Sequence, residues 1–227
     1  MRPTVTAFAN SPDHGEGHSR DFRVRWALEE VGQPYDVRLV PMDELKQAEH
    51  RARHPFGKIP TYERDGLTLF ESGAIVLHIA NRFPGLLPAD GNAREQAIVW
   101  MFAALSTIEP PIVEREAALL LEKDKAWFAD RQTMLDDHVR ERLGELANFL
   151  GRSDWLVGEF SAADLLMITV FRRLEASNFP DATMLLDEYP TIARYVARGK
   201  ERPAYTRALA AERNDFEKSR EPALAGT

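Results

Sequence analysis

The sequence contains no cysteine in 227 residues. That absence excludes structural disulfides, thiolate metal sites and any redox dithiol belonging to the protein itself. If sulfur chemistry occurs here, the thiol must arrive with a ligand. A block of like charge is also missing. The net charge of −7 is spread along the chain, so nucleic acid and anionic membrane are not expected as main partners. No uninterrupted apolar run approaches the roughly 18 residues of a membrane span. The opening stretch MRPTVTAFANSPDHGEGHSRD lacks the apolar core of a secretory leader, which makes a cytoplasmic location the expectation. Internal repeats and low-complexity tracts are absent. What remains is an ordinary globular composition, 44% hydrophobic and 29% charged, with length enough for two small domains.

The most informative stretch runs from His54 to Ala80, HPFGKIPTYERDGLTLFESGAIVLHIA. Asp65-Gly66 supplies the two positive φ values of a type I′ hairpin, so Thr61–Arg64 and Leu67–Phe70 read as its strands. Ser72 stands where a helix N-cap belongs, ahead of the apolar residues Ala74, Ile75, Leu77, Ile79 and Ala80. Pro60 suits the first position of a strand, where no ladder donor is needed. An X-Pro bond adopts cis for only about 0.5–1 kcal/mol. A cis Ile59–Pro60 bond would turn the Ile59 N–H and C=O away from the sheet, toward an extended peptide. A helix N-terminus carrying a hydroxyl favours a carboxylate, and Glu71 beside it can hold an amine. Together Glu71 and Ser72 suit the α-amino-acid end of a small ligand.

Upstream, Thr4–Ala9 reads as a strand and Asn10–His18 as a polar loop. Ser19 is placed to cap a helix over Arg20–Val31, with Phe22, Trp26, Ala27 and Val31 as its core stripe and Gly32 at C′. Tyr35–Leu39 alternates as a second strand, parallel to the first across the helical crossover. A short polar helix is expected over Met42–Ala52. The order βαβ-α-ββα is that of a thioredoxin-like domain. FPGLLPADGN, residues 83–92, marks a boundary, and everything after it reads as helix: Arg94–Ile108, a break or kink at Pro110-Pro111, Ile112–Glu122, then Trp127–Leu150 with Leu135, Val139, Leu143, Leu146 and Leu150 on one stripe. Ser161 and Asp164 form a capping box before the apolar LLMITVF, which should be the buried centre of the second domain. Pro190 and Pro203 fit the starts of two further helices, and Glu217–Thr227 reads as a loose tail. The expected domains are 1–83, thioredoxin-like α/β, and 93–227, all-helical.

P-F-G-K-I-P followed by E-S at the head of a helix resembles the glutathione-binding half of the glutathione transferases. The resemblance covers nearly the whole chain, though its specific motifs lie in the first 80 residues or so. It implies that Ile59 and Pro60 pair with the cysteinyl backbone of glutathione and that Glu71 and Ser72 hold its γ-glutamyl end. It implies a basic partner, Lys58, Arg51 or Arg53, for the glycyl carboxylate. A homodimer is also implied. Family members ionise the glutathione sulfur with a hydroxyl, amide or thiol donor just after the first strand. No tyrosine precedes Tyr35 and cysteine is absent, so Ser11, Ser19 and Asn10 are the candidates. F-A-N-S-P-D, with Ser11, is similar to the threonine-containing loop of bacterial transferases acting on disulfides and peroxides. Ser19 ahead of F-R-V-R-W is similar to serine-type transferases.

The implied activity is attack of the glutathione thiolate on a small apolar electrophile. Alternatives are glutathione-dependent disulfide reduction or peroxidase chemistry, and non-catalytic glutathione binding. Trp100, Ala104 and Ile108 share a helix face and are candidates to wall an electrophile pocket. No metal is expected. His14, His18, Asp13 and Glu16 could suggest one, but they lie in a glycine-containing loop without a well-spaced third ligand.

Overall fold

The computed structural model describes residues 1–151, 153–176 and 180–224. These fall into two compact units, Met1–Leu87 together with Glu201–Thr227, and Pro88–Lys200. The change of unit lies within the Pro/Gly-rich stretch expected to mark it. The last helix, however, groups with the first unit rather than with the expected domain 93–227.

In the first unit, β1 (Thr4–Phe8), α1 (Asp21–Glu30) and β2 (Asp36–Val40) form the expected βαβ element. β1 and β2 are parallel, with Val5 opposite Val37. β3 (Thr61–Arg64) and β4 (Leu67–Phe70) form the hairpin with its predicted bounds, giving the sheet order β2-β1-β3-β4. Asp65 and Gly66 both have positive φ, 51° and 82°, which matches the turn chemistry of a two-residue hairpin loop. Thr61 N–H donates to Thr6 Oγ1 at 2.6 Å and fixes where β3 begins against β1. α3 (Ser72–Arg82) completes the order. This unit is thioredoxin-like α/β.

The expected helix Met42–Ala52 is a 3₁₀ turn, Glu44–Lys46, and a single α turn, α2 (Ala48–Arg51), because extended backbone at Gln47 (ψ 155°) separates them. Both are held to the following loop by side chains. α1 ends at a left-handed Gly32, with Gln33 N–H bonding Leu28 C=O at 2.9 Å, the double turn that satisfies the last carbonyls of a helix. Trp26 on α1 is fully buried, as are Phe22 and Leu28.

Part of what buries them is α10 (Pro203–Leu224), a 22-residue helix running through most of the expected loose tail. Residues 225–227 lie outside the described residues. Tyr205 meets Phe22 and Trp26 edge-on at 5.3 and 5.1 Å. Arg25 of α1, almost fully buried, donates to Asp21 at 2.9 Å and to Asp215 of α10 at 2.7 Å. Burial pushes the Asp21 carboxyl above its ordinary range, against the opposing pull of Arg25. Arg202 pairs with Glu30 and Arg207 with Glu29.

The second unit is helical: α4 (Gly91–Ala103), α5 (Glu109–Leu121), α6 (Phe128–Leu150), α7 (Ala162–Phe171), α8 (Pro180–Asp187) and α9 (Pro190–Lys200). At Pro110-Pro111, where a break or kink is expected, the α-helical pattern changes but the helix does not end. A π turn over Ala104–Ile108 precedes the prolines and places them in the first turn of α5, where a missing N–H costs little. The helical stretch Gly91–Leu121 is therefore long and, on average, apolar enough to pass for a membrane span by length and composition. Its residues Ala97, Met101, Ala104, Ile108 and Ile112 are nevertheless buried within the unit. α6 buries the predicted five-residue stripe. All of α7 is buried, and its capping box is present. Asp164 also accepts from Leu156 N–H and Tyr195 Oη, both at 2.9 Å. Burial raises this carboxyl even so.

Candidate functional site

The loop after β1 is built around one carboxylate. Ser11 Oγ donates to Asp13 Oδ1, while Asp13 Oδ2 accepts from His18 N–H at 2.7 Å and Ser19 N–H at 3.0 Å. Ser11 and Ser19, rival candidates on sequence, stand together with their hydroxyl oxygens 3.0 Å apart. Ser11 is buried at 7% exposure and Ser19 is half-buried. The expected capping role of Ser19 is not seen: the N-cap is Arg20, and it has no side-chain capping bond. The Ser19 hydroxyl is turned to Ser11 instead, and only its carbonyl joins the helix entrance, accepting from Phe22 N–H at 3.2 Å.

The third donor candidate, Asn10, has φ 55° and is tied to α10, where its Oδ1 accepts from Ser219 Oγ at 3.2 Å. α10 covers this loop closely. A Cβ on Gly15 would lie 3.1 Å from the Arg213 backbone, and Gly15 itself has φ 75°.

The His54–Pro60 segment is anchored from three sides. The Ile59–Pro60 bond is cis. The Ile59 side chain packs with Val40 and Leu45 in a small cluster flanked by Phe8. Lys46 Nζ donates to the carbonyls of Phe56 (2.7 Å) and Gly57 (3.0 Å). Gly57, at φ 58°, passes so near the Leu45 carbonyl that a Cβ would sit 2.4 Å from it, so no other residue fits there. His50 Nε2 lies 2.8 Å from the Lys58 carbonyl. A carbonyl only accepts, so His50 carries its proton on Nε2. Lys58 itself is exposed. Arg51 is exposed as well, whereas Arg53 is engaged by Glu49 and Glu63.

At the head of α3 the cap lies one residue earlier than predicted. Glu71 is the N-cap, with φ 67° and no side-chain capping bond, and Ser72 is the first helical residue. The left-handed backbone at Glu71 leaves its side chain exposed while Ser72 turns inward, 4% exposed. Ser72 Oγ accepts from Arg23 Nη1 at 3.3 Å. Sequence reasoning missed Arg23, a buried cation on the first turn of α1. The signal available was its place in F-R-V-R-W, four residues after Ser19. Its bond ties the first turn of α1 to the first turn of α3, which Ser72 opens.

Other expectations resolve differently. Asp13 is turned in on the loop, Glu16 pairs with Arg213 at 3.2 Å, and the His14 ring meets Phe216 edge-on. Among the described residues, no group of three or more His, Asp or Glu side chains is placed to hold a metal ion. In the second unit, Ala104 and Ile108 are buried in the core. Trp100 packs on Phe149 at 4.5 Å and lines an open groove of about 380 Å³ with Val99 and Leu156.

The family model described as glutathione S-transferase, N-terminal domain, matches residues 14–81, and that described as glutathione S-transferase, C-terminal domain, matches residues 114–210. Glutathione S-transferase 4 of Zea mays is 34% identical over 170 residues, covering 69% of this chain and 74% of the maize protein. Glutathione S-transferase 1 of Zea mays is 29% identical, covering 83% and 90%. A glutathione transferase from Burkholderia graminis, crystallised with two glutathione molecules per subunit, superposes with a TM-score of 0.80 at 25% identity, covering 92% of this chain and 87% of that one. The chain belongs to the glutathione S-transferase family.

Proposed function

We propose that this protein is a glutathione transferase that binds glutathione on its first unit and ionises the sulfur against the Ser11–Ser19 pair. The observation that carries this reading is the pair of serine hydroxyls 3.0 Å apart in the loop between β1 and α1, supported by the Arg23–Ser72 bond that ties α1 to the head of α3. The cysteinyl backbone pairs with Ile59 and Pro60. The γ-glutamyl carboxylate lies at the α3 N-terminus by Ser72, where Arg23 adds positive charge, and Glu71 takes the amine. Lys58 meets the glycyl carboxylate. The protein acts as a cytoplasmic homodimer.

A free thiol near pKa 8.5 is only a few per cent ionised at neutral pH. Lowering it by about two units needs about 2.7 kcal/mol of preference for the thiolate. Hydroxyl hydrogen bonds to an anion supply energy of that order. Asp13 is not the base that removes the proton. The bonds it accepts outweigh its burial and hold it below the usual carboxylate value of 3.8. A carboxylate held below that value is a poor acceptor for a thiol proton. The proton leaves to solvent, and the thiolate attacks a small apolar electrophile.

The two glutathione molecules in the Burkholderia graminis structure favour a second reading, glutathione-dependent disulfide reduction. Two glutathiones would supply both sulfurs, so the chain would need no cysteine. Parallel assays with an aryl halide, a peroxide and a mixed disulfide separate the readings. In the active assay, replacing both serines by alanine should cut turnover on the order of a hundredfold while retention on immobilised glutathione persists. Retention without turnover in any assay would leave a binding protein and overturn the enzymatic reading.

A further inference from the structure

Three donors converge on the Asp13 carboxylate: the Ser11 hydroxyl and the His18 and Ser19 amides. Burial alone would raise this carboxyl, but the bonds prevail and hold it below its ordinary value. It is therefore an anion at any pH where a thiol ionises. An anionic carboxylate only accepts, so the single Ser11 proton lies on Asp13. Ser11 Oγ then presents a lone pair to Ser19 Oγ at 3.0 Å, and Ser19 donates. Turning the Ser11 proton to a thiolate would sacrifice a charge-assisted bond, roughly twice as strong as a neutral one. Ser19 gives up only a neutral bond to another hydroxyl. Its backbone, meanwhile, stays fixed by the same carboxylate.

We propose that Asp13 is a positioning residue that makes Ser19, not Ser11, the hydrogen-bond donor to the glutathione sulfur. Asp13 holds the Ser11 proton, pins the Ser19 amide and leaves the Ser19 hydroxyl as the one able to rotate. This rests on the reading that the serine pair serves glutathione.

The test is the apparent pKa of the bound thiol, from ultraviolet titration of the thiolate and from the pH profile of kcat/KM. Wild type is compared with Asp13→Ala, Asp13→Asn, Ser19→Ala and Ser11→Ala. In Asp13→Ala the thiol pKa should rise by about one unit or more, toward about 8.5. The rate near neutrality should fall roughly tenfold, recover at alkaline pH, and leave KM for glutathione within about threefold. Asp13→Asn keeps the size of the side chain and one accepting oxygen, so it should shift the profile the same way by less. It serves if the alanine variant fails to fold. Ser19→Ala should cost at least about tenfold more than Ser11→Ala. Profiles of a folded Asp13 variant that superimpose on wild type, or a Ser11→Ala loss exceeding that of Ser19→Ala, would overturn the role of Asp13 alone. A wild-type bound thiol no more acidic than free glutathione would remove the serine reading itself, and this inference with it.

Discussion

At the scale of single residues, the site depends on groups whose protonation is set by burial. His54, 2% exposed, packs its ring on Phe70 at 4.9 Å beside the Ile59–Pro60 segment. Burial lowers its pKa below 6.5, with Glu71 pulling the other way. The unfolded chain therefore takes up this proton first as the pH falls. The contribution of His54 to stability is present above about 6.5 and is lost as pH drops toward its folded value. His54→Phe, which keeps a ring against Phe70, should remove that loss. Urea midpoints at about pH 7.5 and pH 5.5 should fall less in the variant than in wild type, and an equal fall in both would refute this account. The same scale limited what could be read from sequence. The spacing of Ser11 and Ser19 left two rival candidates, because nothing in it shows that Asp13 folds the loop back and joins them. Arg23 was hidden for a related reason, since its partner Ser72 is 49 residues away.

At the scale of elements, legibility followed locality. The hairpin around Asp65-Gly66, the Ser161–Asp164 box and the α6 stripe are dictated by neighbours in sequence, and each formed as read. The prolines at 110 and 111 do not end the helix, because a π turn upstream places them in the first turn of α5. α10 was less legible. Its last third is polar and reads as a tail, but Ser219 there bonds Asn10, 209 residues earlier in the chain. Its anchor is Tyr205, 4% exposed between Phe22 and Trp26. Tyr205→Ala should destabilise the protein by about 3–5 kcal/mol, a large part of the roughly 5–15 kcal/mol available to a domain. Urea unfolding followed by circular dichroism measures this. A loss below about 1 kcal/mol would mean that α10 is an appendage and not part of the first unit's core.

At the scale of the molecule, the proposed function has a chain without a thiol holding a borrowed one. The first unit takes its sheet and α1, α2 and α3 from residues 1–87 and closes over α1 with the last helix of the chain. Its fold class was legible because the order of elements and the P-F-G-K-I-P and E-S motifs are local. Which unit the last helix joins was not, because that is decided by long-range packing. The claim on which the rest depends is that glutathione lies along Ile59–Pro60 with its sulfur at the serine pair. A crystal structure of the complex measures this directly. The account predicts the sulfur within about 3.5 Å of Ser19 Oγ, with the γ-glutamyl carboxylate at the α3 N-terminus beside Ser72. Glutathione bound elsewhere, or bound there with its sulfur touching neither Ser19 nor Ser11, would contradict it.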